Sequence, residues 1–557
     1  MASEDENQGC KFTEWAGRRK TASDSASEDP NKVIRQDRVI LREYEKVPKD
    51  LKIAEAQWGI PDKVAEDICK AIHSGEDQAS SYEGSGLRGD FNPFSACGKP
   101  GEHYYRPAGQ VGIFPFMCSQ CGRPHMVVVA PKVASNKSDR IDDALAGLCD
   151  MAALARQNPS SDRSELPRWF HFSGEVSWTG AGLGADVWLM IALQYVFGLE
   201  RLLRLDYRRY YVPRSETLSG RVKGRLMTGR YLQMWMAGRP TELPCRWHDF
   251  TFDNWDNRIL ETALTECSRL ASPESDFANF IHSKLHSGTF QASFDEVSDV
   301  HPWELEWASS KLSAVSPHYR DCLATASQIL ANRGGGSTSS PVLRPTWIDT
   351  NDLFEDFVAA MVAEAARKAE LKCVVQGEGE VRRLFSKENS KVGRGPETKP
   401  DAIVIEDKAV RLVVDAKYKD LDPGENTDEA LEGVDQDQGK NGDDATPRTV
   451  NADMFQMFFY LMSRKCHTGV IVFPFWKPGS PDAAHEYKKA ARTFNVKTAL
   501  IGGEKPEVPP EVRFIGLNLA KDVHTIFESG SAILEEMIKN AQIEKLQIEK
   551  LRNQQKN

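Results

Sequence analysis

The stretch KPDAIVIEDKAVRLVVDAKYKD (399–420) is the most informative one for the fold of the C-terminal part of the chain. Its two apolar runs, AIVI and VRLVV, are separated by a short charged turn, which predicts two adjacent strands. Asp401 precedes the first strand. Asp415 and Lys417 lie two residues apart on the second, so their side chains project from the same face. A hairpin therefore predicts two carboxylates and one lysine on a single patch of the sheet.

Helical patterns flank this strand pair. A helix is predicted over 351–370, and Glu355 on that helix can add a third carboxylate. A second helix is predicted over 453–464, where Gln456 and Tyr460 lie four residues apart and share one face. A buried apolar strand, GVIVFPF, follows. The order helix, strand pair, helix and strand predicts an α/β domain with a mixed sheet.

These residue types suit metal-assisted hydrolysis of a phosphodiester. Asp401 and Asp415 offer the hard carboxylate oxygens that Mg²⁺ or Mn²⁺ prefers, and Glu355 can supply a third carboxylate. A bound metal neutralises phosphate charge and lowers the pKa of a coordinated water. Lys417 can orient that water or stabilise the developing negative charge. The two polar residues on the second helix can position the phosphodiester or the lysine.

Taken in this order, the motifs resemble the PD-(D/E)xK nuclease superfamily, and QxxxY on the second helix is similar to its RecB-like branch. LFEDFV, KPDAIV, VVDAKYK and MFQMFFYLM together resemble the McrC family, the nuclease subunits of McrBC modification-dependent restriction systems. GQVGIF and a strand pair ending in APKV are similar to that family's N-terminal β domain, and LSGRVKGRL and FTFDNWDNRILETAL to its helical middle. The resemblance covers about residues 38–530. The acidic tail, a CxxC insertion and the 419–450 loop depart from the simplest family pattern.

The resemblance implies a fold and a division of labour. The fold is α+β and α/β: an N-terminal β-rich domain, a helical middle and a restriction-endonuclease-like mixed sheet flanked by helices. The McrC-like chain cleaves double-stranded DNA. Its partner, a McrB-like AAA+ GTPase hexamer, reads the modified base, receives the N-terminal part of McrC in its pore and is stimulated by it. The chain has no GxxxxGK[ST] phosphate loop, so we expect it to bind no nucleotide itself.

Two alternatives to this function remain open. One is a non-catalytic adaptor that activates an AAA+ ring and keeps the nuclease fold only as a scaffold. The intact acidic and lysine positions argue against it. The other is a stand-alone RecB-like nuclease, which would cut DNA without any partner or nucleotide.

Composition and pattern divide the chain into regions. The predicted regions are a disordered acidic tail (1–35), an N-terminal β-rich domain (36–140), a helical middle region (141–330), a linker (331–345), the nuclease domain (346–530) with a mobile acidic insertion (419–450), and a charged C-terminal helix (531–557). The resemblance gives the N-terminal β-rich domain the role of docking on the partner.

Cys118 and Cys121, in the sequence CSQCG, have the spacing of a zinc knuckle. Such a knuckle needs two further ligands, for which Cys97, His103 and His125 are the nearest candidates. Because no second CxxC follows, a structural zinc ion and buried or free thiols remain alternative interpretations.

The charge distribution limits how this protein meets nucleic acid. The formal net charge is −10, whereas a chain that coats nucleic acid with its whole surface is usually basic. Residues 201–230 hold nine Arg or Lys against two acidic residues, with tyrosines between them. This stretch can bind DNA phosphates, dock on an acidic partner or form a solvated helix face. With neither a long apolar segment nor a signal peptide, we expect a cytoplasmic protein without membrane contact.

Overall fold

We describe the protein from a computed structural model. The residues that it describes are 38–42, 47–48, 94–97, 104–107, 109–117, 124–131, 141–156, 167–172, 176–177, 185–270, 275–285, 293–298, 317–333, 342–343, 346–375, 382–383, 397–407, 409–418, 447–477, 480–487, 492–493 and 509–556. The predicted acidic tail, much of the predicted linker and most of the predicted insertion lie outside these residues.

The described residues include helices of nine to 34 residues. In chain order, they are α1 (Ile141–Arg156), α2 (Ala185–Leu205), α3 (Thr228–Met236), α4 (Trp255–Leu270), α5 (Asp276–Leu285), α6 (Pro317–Arg333), α7 (Thr350–Lys368), α8 (Pro447–Arg464) and α9 (Val523–Lys556). Within the described ranges, none of these helices combines the length and the apolar character that crossing a membrane requires.

The strands range from two to ten residues. In chain order, they are β1 (Arg38–Arg42), β2 (Val47–Pro48), β3 (Phe94–Cys97), β4 (Tyr104–Pro107), β5 (Gln110–Met117), β6 (Pro124–Ala130), β7 (Phe170–Phe172), β8 (Val176–Ser177), β9 (Tyr210–Ser219), β10 (Arg225–Leu226), β11 (Glu242–Thr251), β12 (Val342–Leu343), β13 (Thr346–Asp349), β14 (Lys372–Val375), β15 (Arg382–Arg383), β16 (Glu397–Thr398), β17 (Ala402–Glu406), β18 (Ala409–Ala416), β19 (Thr468–Phe475), β20 (Ala484–Glu486), β21 (Arg492–Thr493) and β22 (Glu511–Asn518).

The described residues form two compact units. Unit 1 combines the N-terminal and C-terminal parts of the chain, and unit 2 lies between them in sequence, over 176–343. In unit 1, a five-stranded sheet has the order β1-β6-β5-β13-β7. A Cβ at Gly112 on β5 would overlap the backbone carbonyl of Thr346 on β13, so the close pairing of these strands requires glycine.

A larger mixed sheet forms the C-terminal part of unit 1. Its strand order is β14-β17-β18-β19-β22-β20, and β21 pairs with β22. Strand β18 is antiparallel to β17 and parallel to β19, which is parallel to β22. Every residue of β19 is buried, as expected of a central strand covered on both faces. This sheet and its helices confirm the predicted mixed α/β architecture.

Helix α7 joins the two sheets of unit 1, since it starts directly after β13. Asp349 caps it: the side chain accepts hydrogen bonds from the backbone N–H groups of Asn351 and Asp352, at 3.0 and 3.1 Å. Arg367 and Lys368 lie in its last turn, where a positive charge is favourable. Its apolar face is buried, and its packing against the strands fixes where the polar residues of its first turns project.

Unit 2 contains α2, α4, α5 and α6 and an antiparallel sheet of order β10-β11-β9. The region 141–330 is therefore more mixed than the helical middle that the sequence predicts. The sheet was missed because β9, with the sequence YYVPRSETLS, is mostly polar, and only every other residue is even partly buried over its first half. Two further bounds differ from prediction: α8 begins at Pro447, inside the predicted insertion, and α9 begins at Val523.

Candidate active site

The hairpin of β17 and β18 brings Asp401, Asp415 and Lys417 together. Asp401 directly precedes β17, and the register pairs Ala402 with Val414, so Asp401 lies beside the end of β18. The Ala416 backbone N–H donates a hydrogen bond of 2.7 Å to Asp401 Oδ2. Lys417 follows β18 and hydrogen-bonds through its backbone N–H to the central strand β19, at 2.8 Å.

Lys417 and Asp415 form an ion pair, with 2.7 Å between Lys417 Nζ and Asp415 Oδ2. The Asp415 side chain is 2% exposed and the Lys417 side chain 20%, so the pair is reached by solvent only from the lysine side. Among the described residues, no group gives Asp415 Oδ2 a hydrogen bond of good geometry. The lysine is thus the one close partner described for this buried oxygen.

The electrostatics of the cluster favour a cation between the aspartates. Burial raises the pKa of Asp401 to about 8, and the charges of Asp415 and Glu355 add to the rise. Burial also raises the pKa of Asp415, against the opposing charge of Lys417. For Lys417, burial lowers the pKa, but Asp415 and Asp401 outweigh it and raise the pKa overall. The lysine therefore stays charged, whereas ionising both buried carboxyls at once is unfavourable unless a further cation lies near them.

Glu355 lies on α7, near enough for its charge to act on Asp401. Its Oε2 accepts a hydrogen bond of 2.7 Å from Arg168 Nη2. Burial raises the pKa of Glu355, and Arg168 opposes that rise. In the part of the chain that the structure describes, no three His, Cys, Asp or Glu side chains converge as a metal cage. The structure thus brings the two aspartates together and leaves Glu355 paired with Arg168.

Gln456 and Tyr460 lie one turn apart on α8 and contact each other. Gln456 Nε2 donates to Tyr460 Oη at 2.5 Å, and Tyr460 Oη donates to the Lys399 backbone carbonyl at 3.2 Å. Burial raises the pKa of Tyr460 to about 12, so its hydroxyl keeps the proton that it donates. Because Lys399 lies two residues before Asp401, this chain of hydrogen bonds holds the backbone that presents the aspartate.

Two residues near the site were given no role by the sequence patterns. Asp453 lies on α8, and its negative charge raises the pKa of both Asp415 and Lys417. Arg168 lies 187 residues before Glu355 and belongs to no motif. The helical spacing could have identified Asp453, whereas nothing local in the sequence identifies Arg168.

The zinc-knuckle candidates lie outside what the structure describes. Cys118, Cys121 and His103 are not among the described residues, and only the backbone of Cys97 on β3 and of His125 on β6 is described. The zinc site therefore stays a prediction.

The basic stretch 201–230 forms the end of α2, all of β9 and β10 and the start of α3, rather than one solvated helix face. Several of its basic side chains pair within unit 2, and Arg208 pairs with Asp206 inside the stretch itself. Lys223 Nζ lies 2.9 Å from Asp249 Oδ1, and Arg214 Nη2 lies 3.0 Å from Asp253 Oδ2. DNA contact and partner contact through this stretch stay predictions.

Comparison with known proteins places the chain in a family. The profile of the family described as "McrBC 5-methylcytosine restriction system component" matches residues 185–474, just over half of the chain. No curated protein matches the chain.

Two solved structures show a weak similarity. One is a chain of the refined half-complex from a tetradecameric assembly of Thermococcus gammatolerans McrB AAA+ hexamers with bound McrC. It is 15% identical, with 89% of this chain and 100% of that chain covered and a TM-score of 0.38. The other is a chain of the Thermococcus gammatolerans McrBC complex, 14% identical, with 59% and 88% covered and a TM-score of 0.23. Because both TM-scores are low, the assignment rests on the profile match: this chain belongs to the family of McrBC 5-methylcytosine restriction system components.

Proposed function

We propose that this chain is the nuclease subunit of a McrBC-type restriction system. It cleaves modified double-stranded DNA by Mg²⁺-dependent phosphodiester hydrolysis, together with a McrB-like AAA+ GTPase hexamer whose hydrolysis it stimulates. One observation carries the proposal: Asp401, Asp415 and Lys417 converge at the end of a hairpin in a mixed sheet. Helices α7 and α8 contribute Glu355 and the Gln456–Tyr460 pair, which is the order of a PD-(D/E)xK nuclease.

The donor set fits a hard divalent cation. Asp415 Oδ2 is buried with Lys417 Nζ at 2.7 Å, and burial resists charging both aspartates in the absence of a cation. Asp401 and Asp415 would hold Mg²⁺ or Mn²⁺, with Glu355 as the third carboxylate. When bound, the metal supplies neutralisation of the phosphate charge and a coordinated water of lowered pKa.

The remaining groups of the site act on the substrate and the attacking water. Lys417 is charged and partly exposed, so its Nζ can orient the water and stabilise negative charge that develops on the phosphate. The Ala416 N–H fixes one oxygen of the Asp401 carboxylate and so orients that carboxylate. Tyr460 holds the backbone before Asp401 and acts on the site through that backbone.

Family membership supports a partner-dependent activity. Members of the matched family are components of a restriction system directed at 5-methylcytosine, so we propose methylated DNA as the substrate. The sequence carries no phosphate loop for nucleotide hydrolysis, so the energy for DNA translocation must come from another chain. A McrB-like AAA+ ring is the partner that fits this requirement.

The test is cleavage of methylated and unmethylated plasmid with and without Mg²⁺, the purified AAA+ partner and GTP. Asp401→Asn should abolish cleavage, because an amide binds Mg²⁺ far more weakly than a carboxylate does. Asp407→Asn is the matched control. Asp407 lies in the turn of the same hairpin with a φ of 48°, a conformation that Asn tolerates well, so cleavage should stay at the wild-type level.

The outcomes distinguish the partner-dependent nuclease from the stand-alone nuclease and from the non-catalytic adaptor. Cleavage by Asp401→Asn at the wild-type rate would contradict the proposed site. Wild-type cleavage without partner and nucleotide would favour the stand-alone nuclease. Stimulated GTP hydrolysis with no cleavage under any condition would favour the adaptor.

A further inference from the structure

We propose that Arg168 is a positioning residue that sets the Glu355 carboxylate for metal binding. This inference rests on the nuclease function proposed above. Arg168 lies just before β7 in unit 1, far from the C-terminal motifs along the chain. It is therefore a part of the site that the motifs do not contain.

Arg168 binds one face of the first turns of α7. Its Nη2 lies 2.7 Å from Glu355 Oε2 and 3.3 Å from Asp356 Oδ1, and its Nη1 lies 3.7 Å from Asp352 Oδ1. Glu355 and Asp356 lie three and four positions after Asp352, so each of them neighbours Asp352 on the helix surface and is repelled by its charge. One guanidinium thus neutralises part of a cluster of three carboxylates.

Of the three acidic residues, Glu355 is the one that Arg168 orients most directly. Trp169 Nε1 donates a hydrogen bond of 3.0 Å to Asp356 Oδ2, so the Asp356 carboxylate has a second anchor. Asp352 is the most distant of the three from Arg168, and Glu355 has the shortest contact. A planar guanidinium holds several oxygens in fixed directions, which a lysine ammonium cannot do.

Glu355 in turn is electrostatically part of the metal site. After burial and Asp415, its charge is the next influence that raises the pKa of Asp401. Groups that hydrogen-bond a metal ligand from behind fix its orientation and strengthen metal binding. Arg168 has this relation to Glu355, because its Nη2 donates a hydrogen bond of 2.7 Å to Oε2 of that carboxylate.

The opposite role makes an opposite prediction. If Arg168 were a latch that keeps Glu355 away from the metal, its removal would strengthen metal binding. If Arg168 positions Glu355, its removal weakens metal binding, and Glu355 and Arg168 act through one another.

The experiment measures Mn²⁺ binding directly, as loss of the free Mn²⁺ electron paramagnetic resonance signal, on the full chain without DNA. Wild type, Arg168→Ala, Arg168→Lys, Glu355→Gln and the double variant Arg168→Ala/Glu355→Gln are compared. Arg367→Ala is the matched control, because Arg367 pairs with Glu364 on the same helix, at 2.8 Å and away from the site. Circular dichroism and the melting temperature verify that each variant is folded.

We expect Arg168→Ala to weaken Mn²⁺ binding by about tenfold or more. Arg168→Lys should recover only part of that loss, and Arg367→Ala should bind like wild type. The double variant should bind no more weakly than Glu355→Gln alone, because the two residues act on one ligand.

Three results would overturn this role: unchanged or tighter binding in a folded Arg168→Ala, full recovery by Arg168→Lys with additive losses in the double variant, or a loss of similar size in Arg367→Ala. Wild-type protein that binds no Mn²⁺ and cleaves no DNA would instead refute the proposed function on which the inference depends. The two failures are therefore distinguishable.

Discussion

At the scale of single residues, Tyr460 links helix α8 to the hairpin of β17 and β18, which carries the proposed catalytic residues. Its hydroxyl accepts from Gln456 and donates to the Lys399 carbonyl, while its ring packs in the core under the sheet. The hydroxyl is a small part of a large buried side chain. Its removal should therefore affect the placement of Asp401 more than the stability of the fold.

We predict that Tyr460→Phe lowers the DNA cleavage rate by about tenfold or more, since small misplacements of a catalytic group are costly. The free energy of unfolding should fall by only about 1 kcal/mol, the usual net value of one hydrogen bond. Single-turnover cleavage and urea unfolding measure the two effects. Phe459→Leu is the control: Phe459 is exposed on the same helix, and its replacement should change neither quantity. A large loss of stability without a loss of rate would contradict the positioning role.

Local pattern was enough to predict that Asp401, Asp415 and Lys417 meet. Alternation along a strand and a short hairpin determine which side chains share a face, and both are visible in the sequence. Arg168 could not be predicted in this way. Its contact with Glu355 depends on β7 and β13 pairing across a long sequence separation, and no local rule sets that pairing.

At the scale of elements, Asp253 joins three segments of unit 2. Its carboxylate accepts from Arg258 on α4 at 2.6 and 2.7 Å, from Arg214 on β9 at 3.0 Å and from the backbone N–H of Ser298 at 3.1 Å. The hydrogen bonds from Arg258 are the largest influence that lowers its pKa, to about 2. The ionised carboxylate therefore ties α4 to the sheet.

The pH dependence follows from this lowered pKa. A carboxyl whose pKa is lower in the folded state stabilises that state above its unfolded pKa, about 3.9, and loses the effect as pH falls through about 2. We predict that Asp253→Asn destabilises unit 2 by about 1 to 2 kcal/mol at pH 7. Between pH 4 and pH 2 this difference should shrink. Hydrogen exchange of the α4 backbone amides, corrected for intrinsic rates, measures it.

Asp249→Asn is the control for this prediction. Asp249 lies on β11 and pairs with Lys223, but a third of its side chain is exposed, so the pair contributes little. Equal destabilisation by the two variants would contradict the proposal that the ionised Asp253 carboxylate stabilises unit 2. An Asp253→Asn effect that stays the same at low pH would contradict it as well.

Elements with strong apolar periodicity were the easiest to predict. The patterns of α7, β17, β18 and β19 predicted bounds close to those observed, because each buries a continuous apolar face. The first turn of α8 was missed, because its sequence PRTVNA is polar. The sheet of unit 2 was missed because its strand β9 exposes six of its ten residues and shows no continuous apolar face.

At the scale of the whole molecule, unit 1 combines residues from both ends of the chain. The five-stranded sheet contains β5 and β6 from the N-terminal part and β13, which leads directly into α7. The helix that carries Glu355 thus begins at the sheet that the family resemblance assigns to partner docking. A continuous structural path from that sheet to the proposed active site is a feature that sequence order alone does not reveal.

We propose that this one chain both cleaves DNA and stimulates its partner, through separate groups. Lys417→Ala separates the two activities, because Lys417 belongs to the proposed catalytic cluster and to none of the N-terminal strands. In the decisive experiment, this variant and wild type are each incubated with the AAA+ partner, GTP, Mg²⁺ and methylated plasmid. Plasmid cleavage and GTP hydrolysis are measured in the same reaction.

We predict that Lys417→Ala loses cleavage by at least about a hundredfold, as expected when a group that stabilises transition-state charge is removed. The variant should still stimulate GTP hydrolysis as wild type does. Cleavage that persists in Lys417→Ala at the wild-type rate, with the same stimulation of GTP hydrolysis, would refute the proposed catalytic role of Lys417.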